Sequence, residues 1–325
     1  MHNVIEVNEL VREYTSYTGI FKKKQQTLRA IDSISFSVKK GEVFGLLGPN
    51  GAGKTTTMKI LTTLLAPTSG NVEIFGYKPF GEEKFVRPRI NFIYGGERNL
   101  YWRITGRENL IYFSDLYKID KKTRDERIPY LLELVKLSDR ADERVETYSK
   151  GMKQRLQIAR GLVNDPEIIF LDEPTIGLDP IGARDLRDII KNLSKLGKTI
   201  VITTHYMYEA DELCDRIAII NKGKLLALDT PDNLKKVLDS LSVIEANVDF
   251  ISDDKISEIK SLNGIEVLPL EHLEKSTLVK VQCKEPYKFI GKLINILEED
   301  HILNINTRST TLEDVYVHYV GGQDV

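Results

Sequence analysis

Gly48-Pro49-Asn50-Gly51-Ala52-Gly53-Lys54-Thr55 narrows what this chain can fold into more than any other segment. Its glycines let the backbone curl until successive N–H groups point inward, a shape that lasts only where neighbouring elements hold it. Val43-Phe44-Gly45-Leu46-Leu47 before it reads as a short buried strand. After it, Met58, Leu61 and Leu65 give a helix its apolar period. A strand, a glycine loop and a helix in this order form a cradle for a phosphate, because inward amides and the positive end of the helix dipole meet at one point. Gly48, Pro49, Asn50, Gly51, Ala52, Gly53, Lys54, Thr55 and Thr56 are therefore the candidate phosphate contacts. Lys54 is expected to bridge the β- and γ-phosphate oxygens, and Thr55 to offer a hydroxyl to Mg²⁺, a hard cation that prefers oxygen.

Two more short apolar runs, Ile168-Ile169-Phe170-Leu171 and Thr199-Ile200-Val201-Ile202-Thr203, read as buried strands that end in polar residues. Such runs alternating with longer helical patterns imply an α/β fold with a covered, mostly parallel sheet. The first delivers Asp172-Glu173 at its end. Adjacent strand residues leave on opposite sides, so their expected roles differ: Asp172 can hold the magnesium through its water shell, and Glu173 can polarise the attacking water as general base. From about Glu97 to Asp165 the pattern is helical, with helices expected over Arg107 to Ile119 and Thr123 to Lys136, as a subdomain inserted between strands.

At 325 residues, about two domains are expected. The first is placed at residues 1–235 and the second at 240–325. Beyond the boundary the order is strand (Val243 to Phe250), helix (Asp254 to Leu262), strand (Ile265 to Leu270), strand (Thr277 to Cys283), helix (Pro286 to Glu299), strand (Ile302 to Thr307) and a last helix (Leu312 to Tyr319). That βαββαβ order suggests a small ferredoxin-like α+β domain. With 41% hydrophobic residues and a net charge of -2, the chain can bury sizeable cores and has no global field to draw in nucleic acid. Cys214 and Cys283 are too few for a disulfide framework and fit two buried thiols in a reducing compartment. The N-terminal residues lack an export signal, and no apolar run approaches the roughly 20 residues of a spanning helix. Lys22-Lys23-Lys24 reads as a solvated loop.

Tyr148-Ser149-Lys150-Gly151-Met152-Lys153-Gln154-Arg155-Leu156 resembles the signature motif of ABC-transporter ATPases, although Lys150 and Met152 stand where the common motif LSGGQ has glycine and glutamine. Gly177-Leu178-Asp179 resembles that family's D-loop, and His205, after Thr203-Thr204, resembles its switch histidine. The resemblance covers about residues 3 to 235 and implies a P-loop ATPase with a helical insert. It also implies ATP and Mg²⁺ as cofactors, with Glu173, His205 and Lys54 catalytic and Thr55 and Asp172 on the metal. In such proteins two cassettes close head to tail around two ATPs, so Ser149 and Gly151 would face the γ-phosphate held by the other copy. Asp179 would join that interface. An aromatic residue stacks on adenine: Tyr14 is the first choice, with Tyr17 and Phe21 competing.

One departure stands out. The family's glutamine after the strand Ile90 to Tyr94 is missing from Gly95-Gly96-Glu97, its place falling at Gly96, where Glu97 or a water would have to substitute. The closing Thr311-Leu312-Glu313-Asp314-Val315-Tyr316 resembles the tail of ATPases serving ABC-2 type exporters. This implies a homodimer of the cassette working on a separate membrane permease, located in the cytoplasm against the inner face of the membrane, with no nucleic acid partner. Rival readings are a soluble ABC ATPase acting on nucleic acid or the ribosome, and a slow regulatory module. The former fits poorly with a single cassette and about 120 residues between Lys54 and Asp172.

Overall fold

A computed structural model describes residues 2–18, 24–95, 100–238, 241–297 and 301–321, with all side chains there except those of 16–18, 24–26 and 321. Five short runs, four of them buried almost throughout, form the parallel part of the main sheet. In chain order the strands of the first unit are β1 (Asn3–Thr18), β2 (Lys24–Lys39), β3 (Val43–Leu47), β4 (Ser69–Ile74), β5 (Ile90–Tyr94), β6 (Ile168–Asp172), β7 (Thr199–Thr204), β8 (Arg216–Asn221) and β9 (Lys224–Asp229). The main sheet runs β5-β6-β7-β3-β8-β9. Its first five strands are parallel, and β9 is antiparallel at the edge. Because β3 lies between β7 and β8, the strand order reverses beside it, and a crevice opens at the carboxyl ends there.

The helices of this unit are α1 (Lys54–Leu61), α2 (Glu83–Val86), α3 (Gly106–Leu116), α4 (Lys121–Leu134), α5 (Lys150–Gly161), α6 (Pro180–Lys195) and α7 (Met207–Leu213). A second, antiparallel sheet, β2-β1-β4, closes over the main one. Met58, Ile60 and Leu61 of α1 join one core with Leu10, Ile34, Phe36, Phe44 and Phe170, and the rings of Phe36 and Phe44 stack at 5.2 Å. The glycine loop is thus clamped at the foot of a helix packed between two sheets. α1 stops at Leu61 and does not reach Leu65: Thr62 Oγ1 donates to the Met58 carbonyl at 2.7 Å, and Thr63 turns left-handed with φ 64°. α3 and α4 begin one and two residues earlier than the apolar pattern suggests, because their caps, Thr105 and Asp120, are polar and lie outside the apolar stripe, and Ser149 caps α5 in the same way.

The chain divides into compact units at residues 1–231 and 232–325, ahead of residue 235. Helix α8 (Pro231–Lys236) straddles the division. The second unit contains β10 (Ser242–Val248), α9 (Asp253–Lys260), β11 (Ile265–Val267), β12 (Glu271–His272), β13 (Thr277–Cys283), α10 (Pro286–Leu297), β14 (Ile302–Ser309) and α11 (Leu312–Gly321). Its antiparallel sheet runs β11-β13-β10-β14, the ferredoxin-like order, with the short β12 paired to β13 as an addition. Ile244, Ala246, Val248, Val279 and Val281 pack under Ile259, Leu293 and Leu297. The strand expected to end at Phe250 ends at Val248, and Phe250 is exposed. The strand expected to reach Leu270 stops at Val267.

Candidate functional site

The loop between β3 and α1 can exist only with glycine at its ends. A Cβ on Gly48 would sit 2.1 Å from the Ile220 carbonyl, and Gly53 has φ 106° with the Ala30 carbonyl 2.6 Å from where its Cβ would lie. The loop and Glu173 wall a cavity of about 130 Å³, closed on one side by Ala30. Lys54 is buried at its base, where Nζ donates to the carbonyls of Gly48 (2.7 Å) and Pro49 (3.1 Å). It stands 3.6 Å from Glu173 Oε1. Burial pulls the Lys54 pKa below its ordinary value, and the neighbouring carboxylates Glu173 and Asp172 push it back up.

β6 brings its two acids to the same place. Thr55 Oγ1 lies 3.2 Å from each Asp172 carboxylate oxygen. Thr203, level with Asp172 in the parallel register of β6 and β7, donates its hydroxyl to Asp172 Oδ1 at 2.5 Å. The same hydroxyl accepts the Glu173 N–H at 3.0 Å. Glu173 is left-handed (φ 47°), a conformation that a non-glycine residue adopts only when its surroundings hold it there. His205, just past β7, brings Nδ1 to 3.2 Å from Glu173 Oε1. One carboxylate oxygen is therefore shared between a lysine ammonium and an imidazole.

Among the described residues no cluster of three or more His, Cys, Asp and Glu could hold a metal. The hydroxyl of Thr55 and the carboxylate of Asp172 are hard oxygen donors that fit a magnesium ion completing its shell with phosphate oxygens and water.

Other expected site residues stand apart. Ser149 caps α5 by accepting the Met152 N–H at 3.2 Å, is exposed, and does not line the cavity. Gly151 and Asp179 do not line it either, and Asp179 caps α6 by accepting the Gly182 N–H. Tyr14 lies outside the lining, half exposed, with the Arg12 guanidinium 4.7 Å from its ring centre. Gly96, Glu97, Phe21, Lys22, Lys23 and the side chain of Tyr17 lie outside the described residues. Two contributors carry no motif of their own. Thr203 could have been found as the hydroxyl level with Asp172 on the adjacent strand. Gly95 is needed because a Cβ there would lie 2.4 Å from the Glu173 carbonyl.

Both cysteines are free and buried. Among the described residues no helix is long and apolar enough to cross a membrane. The family model described as ABC transporter matches residues 31–176. The chain is 33% identical over 302 residues to the linearmycin resistance ATP-binding protein LnrL of Bacillus subtilis, covering 92% of this chain and 96% of that one. It is 38% identical over 298 residues to a fluoroquinolones export ATP-binding protein of Mycobacterium tuberculosis, covering 90% and 88%. A solved structure, a dimeric post-hydrolysis ATP-binding cassette bound to ADP and Pi, superposes with TM-score 0.60 at 27% identity, covering 70% of this chain and 98% of that one. Likeness that runs through both compact units of this chain, beyond the phosphate loop, makes it a member of the ABC transporter family, a subunit that binds and hydrolyses ATP.

Proposed function

We propose that two copies of this chain bind two Mg·ATP head to tail, each nucleotide held by the Gly48 to Thr56 loop of one copy and by Ser149 and Gly151 of the other. The observation that carries this reading is the sharing of Glu173 Oε1 by Lys54 and His205 beside the Asp172–Thr55 pair. Lys54 binds and orients the β- and γ-phosphates. Glu173 accepts the proton of the attacking water, and His205 fixes the rotamer of that carboxylate and senses the γ-phosphate. Asp172 and Thr55 hold the magnesium ion, which when bound neutralises phosphate charge. Asp179 sits at the seam between copies, and Tyr14 stacks on adenine. Because Ser149 lies away from its own chain's cradle, a second copy is needed to complete each site.

Closure on ATP and reopening after hydrolysis drive a separate membrane permease, which places the chain on the cytoplasmic side of the membrane. The first unit is the motor and the second an accessory domain. Relatives named for antibiotic resistance and drug export favour outward transport. Glu173→Gln tests the site: steady-state phosphate release should vanish while light scattering shows an ATP-dependent dimer. Wild-type phosphate release by that variant would overturn the assignment.

A further inference from the structure

One turn past His205, α7 buries Glu209 to 2% exposure, and among the described residues neither carboxylate oxygen has a hydrogen-bond partner. Burying an unsatisfied carboxylate opposes folding, and a leucine of similar volume would remove the penalty. Packing alone gives no reason for the acid. Its surroundings do. Burial pushes its carboxyl above the usual range; the hydroxyls of Thr204 and Thr175 and the charges of Arg187 and His205 pull the other way. The Thr204 hydroxyl accepts the Tyr206 N–H at 3.0 Å and keeps its own proton to donate. Thr204 ends β7 next to His205, and Thr175 begins the loop that leads to Asp179. A cavity of about 370 Å³ lies against Glu209, walled by Thr175, Gly177, Leu178, Pro180, Arg187 and Tyr206. It leaves room for the Thr175 to Asp179 loop to shift relative to the turn that carries His205.

We propose that Glu209 is a positioning residue for ATP hydrolysis: it ties the Thr175 to Asp179 loop to the His205 turn through the hydroxyls of Thr175 and Thr204. This rests on the assignment of Glu173 and His205 given above. When the loop moves into the cavity, the hydroxyls complete charge-assisted hydrogen bonds to a carboxylate that otherwise lacks them. The bonds form only in that arrangement, so they favour it, and with it the placement of His205 against Glu173.

The test compares Glu209→Leu, Glu209→Gln and Thr175→Val in steady-state ATPase assays and thermal melts of the full chain. Glu209→Leu should lower kcat by about tenfold to a hundredfold, as expected when a catalytic group is misplaced by about 1 Å. It should leave KM for ATP within about twofold and the melting temperature unchanged or raised, because removing the uncompensated charge relieves the fold. Glu209→Gln, whose amide oxygen still accepts, should recover most of kcat. Thr175→Val, which keeps the side-chain shape, should lower kcat without raising KM, and decides the matter if the leucine variant does not fold. The inference is overturned if Glu209→Leu keeps wild-type kcat, if kcat and melting temperature fall together without rescue by glutamine, or if Thr175→Val is inert. Glu173→Gln in the same assay separates the two readings, since its retention of activity would remove the wider assignment first.

Discussion

At the scale of single residues, the site depends on a few short distances. Lys54 is buried with its charge turned to two loop carbonyls and a carboxylate, which hold its ammonium inside the glycine loop. Lys54→Ala removes a charge-assisted contact worth roughly 1.5–3 kcal/mol. ATP affinity measured by equilibrium titration should fall by about tenfold to a hundredfold. Gly95 has a different reason to be small. Its N–H donates to the Asp172 carbonyl at 2.7 Å, and a methyl group there would drive into the Glu173 carbonyl. Gly95→Ala should cost about 1–3 kcal/mol in denaturant unfolding, by overpacking. Because the displaced backbone carries Glu173, the proposed general base, it should also reduce turnover more than ATP binding.

Secondary-structure elements differ in how plainly their residues announce them. β3, β6 and β7 are covered on both faces, so they read as unbroken apolar runs, and their limits fall within a residue of the pattern. The long hairpin of β1 and β2 was not legible. Its strands are each 16 residues, carry mixed polar faces and change register at bulges near Glu9 and Ser33, both left-handed. In the second unit, α11 is anchored by Asp314, which accepts two hydrogen bonds from Arg308 (2.6 and 3.0 Å) and one from the Thr311 N–H (2.8 Å). Burial pushes the Asp314 pKa up, but the bonds from Arg308 and Thr311 outweigh it and hold the carboxyl below its ordinary value. A lowered folded-state pKa adds stability that is complete above the unfolded value, about 3.9, and is lost as pH falls through the lowered one. Asp314→Asn should therefore lower the melting temperature at pH 7 and flatten the loss of stability as pH falls below about 4. A variant whose acid-side slope matches the wild type would contradict this account.

For the whole molecule, all the nucleotide contacts assigned to one chain fall within residues 1–231, and none in the second unit. Ligand that binds only the folded state raises stability by mass action, about 2.7 kcal/mol at a hundred times Kd. Mg·ATP added to Glu173→Gln should accordingly raise the unfolding transition of the first unit. Calorimetry or hydrogen exchange should show protection at the glycine loop, α1 and the start of α5, with little at β10 to β14. Protection concentrated in the second unit would refute the division of roles.

The amino-acid order by itself determined the chemistry on offer: a glycine loop before Lys54, paired acids after β6, a histidine after β7, and a serine heading α5. Each is legible because loop curvature, strand burial and capping depend on neighbours a few residues away. Only the tertiary structure decided which groups meet. Parallel pairing of β6 with β7, and of β7 with β3, brings Glu173, His205 and Lys54 onto one carboxylate oxygen and lays Thr203 beside Asp172. It also buries Glu209 and brings the Glu173 carbonyl too close to Gly95 for a side chain, since burial and close approach arise from residues that the chain order keeps far apart.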